Sequence, residues 1–215
     1  MWMRAAVVAL SVVAWTGSAR AAEPFLDRLV AEVAGAVVTA TDVALGRALG
    51  LFGLTPAVGP LSVAEIQRYV DGQLLVREAA RIGVEDTAAQ RAEAWAALTE
   101  RAGGAGALIG WLTAADVDVP WAWRLADEDL RMRLFVELRF RALAFISEAD
   151  LAAALGPGTH DESAREAMRT RLEAEAARRQ LAEWLADARA RASIRLYVSE
   201  SVPIPNPLPG FPEPS

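Results

Sequence analysis

The stretch DRLVAEVAGAVVTATDVALGRAL (Asp27–Leu49) decides how this chain folds. Val30–Val33 and Val37–Thr39 are runs rich in β-branched residues, and they flank Ala34-Gly35-Ala36. Glycine reaches positive φ without a Cβ clash, so the pattern predicts a short hairpin with Gly35 in its turn. Thr39-Ala40-Thr41-Asp42 follows as a capping-box pattern, which starts a helix there. A two-stranded hairpin alone is marginal in water, so this one needs a further partner. The only evident one is SIRLYVS (Ser193–Ser199), close to the other end of the chain. The expected fold class is therefore mostly α with a small β element, the N-terminal hairpin pairing with a C-terminal strand. That makes residues 22–198 one domain closed by its own ends.

Between those ends the periodicity is helical. Ser62-Val63-Ala64-Glu65 is a second capping box, Ile66, Val70, Leu74 and Leu75 form a stripe, and Gly83 fits the terminator position. A helix over about Asp86–Arg101 is broken by Gly103-Gly104, and a short one around Ala107–Leu112 follows. Asp118 and Pro120 open a long helix expected over Val119–Phe145, with Leu130, Leu134, Leu138, Ala142 and Phe145 as its buried face. Ser147–Asp150 is a third capping box and Thr159–Glu162 a fourth. The last helix, about His160–Ala192, carries the stripe Met168, Leu172, Ala176, Leu181, Trp184, Leu185, Ala188 and Ala192, with Glu175–Arg179 and Asp187–Arg191 as acid-first pairs. The end, VPIPNPLPGFPEPS, has six prolines, which neither a helix nor a central strand accepts. Residues 199–215 are read as a disordered or extended tail.

The first residues read as a leader. Arg4 precedes the apolar run Ala5–Trp15, and Ala19-Arg20-Ala21 is a small-residue cleavage pattern. Eleven helical residues reach about 16 Å, roughly half the hydrocarbon core of a bilayer. Residues 1–21 are thus expected to be a cleaved signal peptide, which implies export to the periplasm and no membrane insertion afterwards. Removing Arg4 and Arg20 leaves 20 basic residues, all arginine, against 28 acids, a net charge of −8. That opposes nucleic-acid binding, which needs a basic face. The chain has no cysteine, so an exported protein must rely on its core rather than on disulfides.

Chemistry-bearing motifs are sparse. With one histidine and no cysteine, Cys–His catalysis and thiolate metal sites are impossible. His160 lies at a helix start beside Gly156-Pro157-Gly158 and reads as a solvated first-turn residue rather than a general base. No G-x-S-x-G turn, phosphate loop or dinucleotide fingerprint occurs. The carboxylate pairs Glu148/Asp150 and Glu173/Glu175 are explained by capping and by a solvated face. No cofactor is implied. Trp121 and Trp123 are two residues apart at a helix start, so both cannot point the same way. The apolar loop Gly50–Pro60 carries Phe52 and Leu54. Two readings stand for it. It covers the core, or its apolar residues border a cleft that captures unfolded polypeptide. On the second reading Phe52, Leu54, Trp121 and Trp123 are the candidate client-binding residues.

Four segments resemble SurA-type periplasmic chaperones and their parvulin-linked relatives. LDRLVAEVAGAVVTATDV is similar to their Val-rich opening hairpin and helix start, and VDGQLLVREAARIGVE (Val70–Glu85) to their second helix and its terminating glycine. LRMRLFVELRFRALAFISEADL (Leu130–Leu151) resembles their long helix leading to I-S/T-x-x-[DE]-[LV], and LAEWLADARARASIRLYV (Leu181–Val198) their final helix and strand. In that family, parvulin-type prolyl-isomerase domains are inserted before the final helix. Here Gly156-Pro157-Gly158 and a few neighbours separate Leu155 from Thr159, too little for a domain of roughly 50 residues or more. The paired histidines of a parvulin site cannot be built around His160 alone. The resemblance implies an ATP-independent holdase for unfolded or aromatic-rich outer-membrane or exported polypeptides. The competing readings are a prolyl isomerase by descent and an accessory subunit with one fixed partner.

Overall fold

The computed structural model describes residues 27–158, 161–204 and 208–210. The leader, Thr159 and His160 lie outside them. Strand β1 (Leu29–Val33) turns through Ala34 and Gly35, at φ 48° and 84°, into β2 (Ala36–Thr39). Both turn residues are left-handed, as the turn of a twisted two-residue hairpin requires. Strand β3 (Ile194–Leu196) lies antiparallel on the opposite side of β1, so the sheet order is β2-β1-β3. Val33 faces Ile194, Glu32 faces Arg195 and Ala31 faces Leu196. Tyr197 N–H donates to the Val30 carbonyl at 3.0 Å and Ala34 N–H to the Ser193 carbonyl at 2.8 Å. The two ends of the described chain thus form one sheet, as the hairpin required.

The helices are α1 (Ala40–Ala48), α2 (Val63–Arg81), α3 (Ala88–Arg101), α4 (Ala105–Ala114), α5 (Val119–Val136), α6 (Glu148–Leu155) and α7 (Glu162–Arg191). Reciprocal capping boxes start α1 at Thr39 and α2 at Ser62, where the motifs placed them. A further box, Thr87 with Gln90, starts α3 and was not anticipated. At α7 the cap is Asp161, whose carboxylate accepts from Ala164 N–H at 2.7 Å. Glu148 on α6 binds Arg165 and Arg169 of α7 at 2.8 and 2.6 Å, so the short Gly-Pro-Gly connection joins two helices that touch. Glu175 pairs with Arg171 at 3.6 Å rather than with Arg179.

The loop Gly50–Pro60 covers the core. Leu51, Phe52 and Leu54 are all buried. Phe52 is a plug. It sits at φ 56°, with its ring edge-on to Tyr69 at 4.9 Å. A Cβ on Gly72 of α2 would meet the Phe52 ring at 2.8 Å, and one on Gly46 of α1 would meet Tyr69 at 3.1 Å. Glycine at both places opens the space the ring fills. The loop's far end is held by Arg47, which is 3% exposed and donates to the Gly59 and Pro60 carbonyls and to Glu65 Oε1 at 2.6, 3.2 and 3.1 Å. Burial alone would raise the Glu65 carboxyl. Hydrogen bonds from the Ser62 amide and hydroxyl and from Arg47 outweigh it and hold the group below its ordinary value.

One expectation fails. The long helix does not run regularly to Phe145: it becomes a π-helical turn over Glu137–Arg141 and then leaves helix. The stripe therefore does not stay buried. Leu130 is buried, but Leu138, Leu143 and Phe145 are 58%, 60% and 84% exposed. Inside instead are Phe135 and Phe140, edge-on at 5.8 Å, both packed on Trp184 of α7. Five residues turn an ideal α-helix through about 500°, which leaves side chains about 140° apart. The wider π turn brings both rings to one side.

Of the two readings of the tail, disordered or extended, its described part fits the second, and it is packed. Val202 is 1% exposed and exchanges two 2.8 Å backbone hydrogen bonds with Leu61, while Ile204 and Leu208 rest on the core. Trp111 Nε1 donates to the Pro209 carbonyl at 2.9 Å. An extended chain alternates its faces: Val202 and Ile204 turn toward the core and Pro203 between them is exposed, where it need donate nothing.

The Phe52 plug makes a prediction about sign. On helix propensity alone, Gly72→Ala gains about 1 kcal/mol. Overpacking against a ring held on both sides costs about 1–3 kcal/mol. We expect net destabilisation, read as a lower urea midpoint at unchanged slope.

Candidate functional site

The recess of interest lies beside α5. Its walls are Leu75 of α2, Leu130, Leu134 and Val136 of α5, and Leu181 and Leu185 of α7, and its volume is about 660 Å³. Phe52 and Gly72 form part of its floor, so the plug that closes the core also shapes the groove. The walls come from amphipathic helices whose packing is incomplete. Leu134, Leu181 and Leu185 are half-buried, and Leu181 and Leu185 rest on the core on one side while open on the other. A second recess of about 710 Å³ lies where α3 and the loop meet the same helix, and it is bordered by Gln90, Glu93 and Arg101. Leu134 borders both recesses.

Charges sit at the rim and are mostly neutralised. Arg133 binds Asp129 at 2.9 Å and Arg141 lies 3.5 Å from Glu137. Asp71 is held by a two-pronged contact from Arg189, one arm at 2.7 Å, which keeps the Arg189 guanidinium above its ordinary range. These contacts leave the interior of the groove apolar. Asp129 is 6% exposed, and its other oxygen accepts Phe52 N–H at 2.7 Å. One carboxylate on α5 therefore fixes the backbone of the plug from 77 residues away. Burial pushes the Tyr69 phenol well above its usual range, and the ring serves as packing.

The four residues expected to bind clients do not form one exposed groove. Phe52 and Leu54 are 2% and 4% exposed and belong to the core. Trp121 is half-buried against that core, with an indole N–H that meets no acceptor. Trp123 stacks on Trp95 of α3, centroids 4.0 Å apart, which joins α3 to α5. Only Phe52 touches the groove, from beneath. The expectation fails because an apolar loop beside a helical core gains more by burying its large side chains than by displaying them.

The residues that do line the groove were read as ordinary core stripe. On an α-helix Phe135 and Phe140 fall neither on that stripe nor on one common face, so no periodic pattern in the sequence marks the groove. Leu138 lies in sequence between Glu137 and Arg141, which both border the groove, and Leu138, Leu143 and Phe145 are all exposed. Among the described residues no cluster of three or more His, Asp or Glu is placed to hold a metal ion. No helix among them is long and apolar enough to cross a membrane. The chemistry on offer is the burial of apolar side chains under a charged rim.

Asp129→Ala leaves the Phe52 amide buried without an acceptor, at a cost of about 1–3 kcal/mol. Asp129→Asn keeps an oxygen in place and is expected to lose less. Chemical denaturation of the two variants side by side checks the order.

No protein-family model matches the chain and no curated protein matches it, so its function is argued from this geometry and from the motifs in its sequence.

Proposed function

We propose that the chain is an ATP-independent periplasmic holdase, a SurA-type chaperone body without an isomerase insert. The observation that carries this reading is the apolar groove beside α5, with Leu138, Leu143 and Phe145 exposed in the segment that follows this helix. Exposed apolar surface of this kind rimmed by charge marks polypeptide or ligand capture. The leader pattern and the four family-like segments supply the compartment and the client class. The six residues from Gly156 to Asp161 that join α6 to α7 are consistent with a body from which the catalytic module is absent.

The energetics suit transient capture. Each Å² of apolar client surface removed from water contributes about 25 cal/mol, and ordering an unfolded segment takes much of that back. Binding is therefore weak and reversible, as release without ATP requires. Specificity is for apolar side chains in an extended or helical segment rather than for one sequence.

The test is light scattering from a urea-unfolded β-barrel outer-membrane protein diluted into buffer. A few-fold excess of this protein is expected to suppress aggregation. The triple variant Leu138→Ser, Leu143→Ser, Phe145→Ser is expected to lose most of that suppression with little change in stability, because the three side chains are already solvated. Failure of the wild-type chain to suppress aggregation of any such substrate overturns the reading. Saturation by a single tight partner, with no effect of other clients, favours an accessory subunit instead.

A further inference from the structure

The strap formed by residues 202–204 and 208–210 is held by contacts of a kind used in peptide recognition. Val202 makes a single antiparallel bridge, two 2.8 Å bonds, with Leu61, a residue outside any strand of the sheet. Farther on, the Trp111 indole donates to the carbonyl of a proline at 2.9 Å. Between and beside these points the inward residues are apolar: Val202 is 1% exposed, and Ile204 and Leu208 are half-buried against the core. Pro203 and Pro209 face solvent. The receiving surface is built without the strap. Leu61 is fixed by the Arg47 clamp on Gly59 and Pro60 and by the Ser62 cap of α2, and Trp111 sits on α4.

The strap is also separable from the sheet. The last bond to β1 is made by Tyr197, and Ser199, Glu200 and Ser201 are exposed before Val202 enters its site. Detaching the strap breaks nothing in β3. Prolines at alternate positions stiffen the segment, so little conformational freedom is lost when it binds. They also remove N–H donors from its outer edge, which stops further strand addition there.

We infer that the surface over Leu61 and Trp111 is a recognition site for an extended peptide with proline at every second position and apolar residues such as Val202, Ile204 and Leu208 between, occupied in cis by this chain's own tail. The occupant is known from the structure itself, and the site goes beyond the groove beside α5. A tail in cis acts at an effective concentration near millimolar, so an outside peptide of the same pattern enters when the cis copy is displaced.

The test uses a fluorescein-labelled peptide of the sequence Ser199–Ser215 and the full chain, read by anisotropy. In a Val202→Asp chain the charged residue ejects the cis tail, and the labelled peptide is expected to bind saturably, at least tenfold more tightly than to the wild-type chain. Adding Trp111→Phe to that chain keeps a ring but removes the donor, and should weaken binding several-fold. A peptide bearing the same Val202→Asp change should not bind. A folded Val202→Asp chain that ignores the peptide overturns the inference. Should that variant fail to fold, amide exchange of the wild-type chain decides: Leu61 and Val202 exchanging together, at least tenfold faster than Tyr197 and Ala34, supports a separable strap, and equal rates overturn it.

Discussion

Strand β1 is the piece on which the rest of the molecule depends. It has a neighbour on each edge, one from the adjacent hairpin arm and one from the far end of the chain. Val30, Ala31 and Val33 are all essentially inaccessible, and they sit over the main core. Bringing β3 back across some 160 residues costs about 2–3 kcal/mol more closure entropy than a ten-residue loop. Fully burying a valine contributes about 1.5–3 kcal/mol, so the two valines of this short strand offset that cost. The pairing is favourable only because the strand's inner side is so apolar.

The helices between the two ends are fixed by a different device. Phe52, in a left-handed backbone conformation, fills space left open by Gly46 and Gly72 and is tied to α5 through Asp129. That contact joins α1, the loop, α2 and α5 through one ring and one carboxylate. The same ring forms the base of the groove. A recess with a stiff floor and a partly solvated wall keeps its shape while its occupants change, which is what a reversible binder of many segments needs. The π turn after α5 contributes on the other side. It carries Phe140 inward onto Trp184 and leaves Leu138 outside.

Much of the frame was legible in the residues. The hairpin turn, the need for a distant strand, three of the helix starts (Thr39, Ser62 and Ser147) and the short join between α6 and α7 follow from local chemistry: glycine at positive φ, hydroxyl caps three residues ahead of a carboxylate, and too few residues for an inserted domain. The site was hardly legible. Phe52 and Leu54 are buried because loop and helices compete for one core, and the place of Phe52 depends on Gly46 of α1 and on Gly72, 20 residues away on α2. Leu138 and Phe145 are exposed because a π turn shifts the helix register, which no periodic stripe reveals. For the proline-rich tail the residues left two readings, disordered or extended. Proline content excludes a helix and a central strand, yet proline at every second position from Pro203 to Pro209 is compatible with a one-sided extended edge. A terminator of regular structure can still specify an extended edge.

The central claim, that the two ends of the domain share one sheet, is tested most directly by a cross-link. The chain has no cysteine of its own, so Ala31→Cys with Leu196→Cys introduces a single pair, at positions that face each other across β1 and β3. The account predicts that oxidation closes this disulfide within one molecule, in high yield. It also predicts a rise in folded-state stability that approaches the roughly 5 kcal/mol expected for so long a loop in the chain-entropy model. Thiols that stay reduced under mild oxidant, or that join only between molecules, would contradict it.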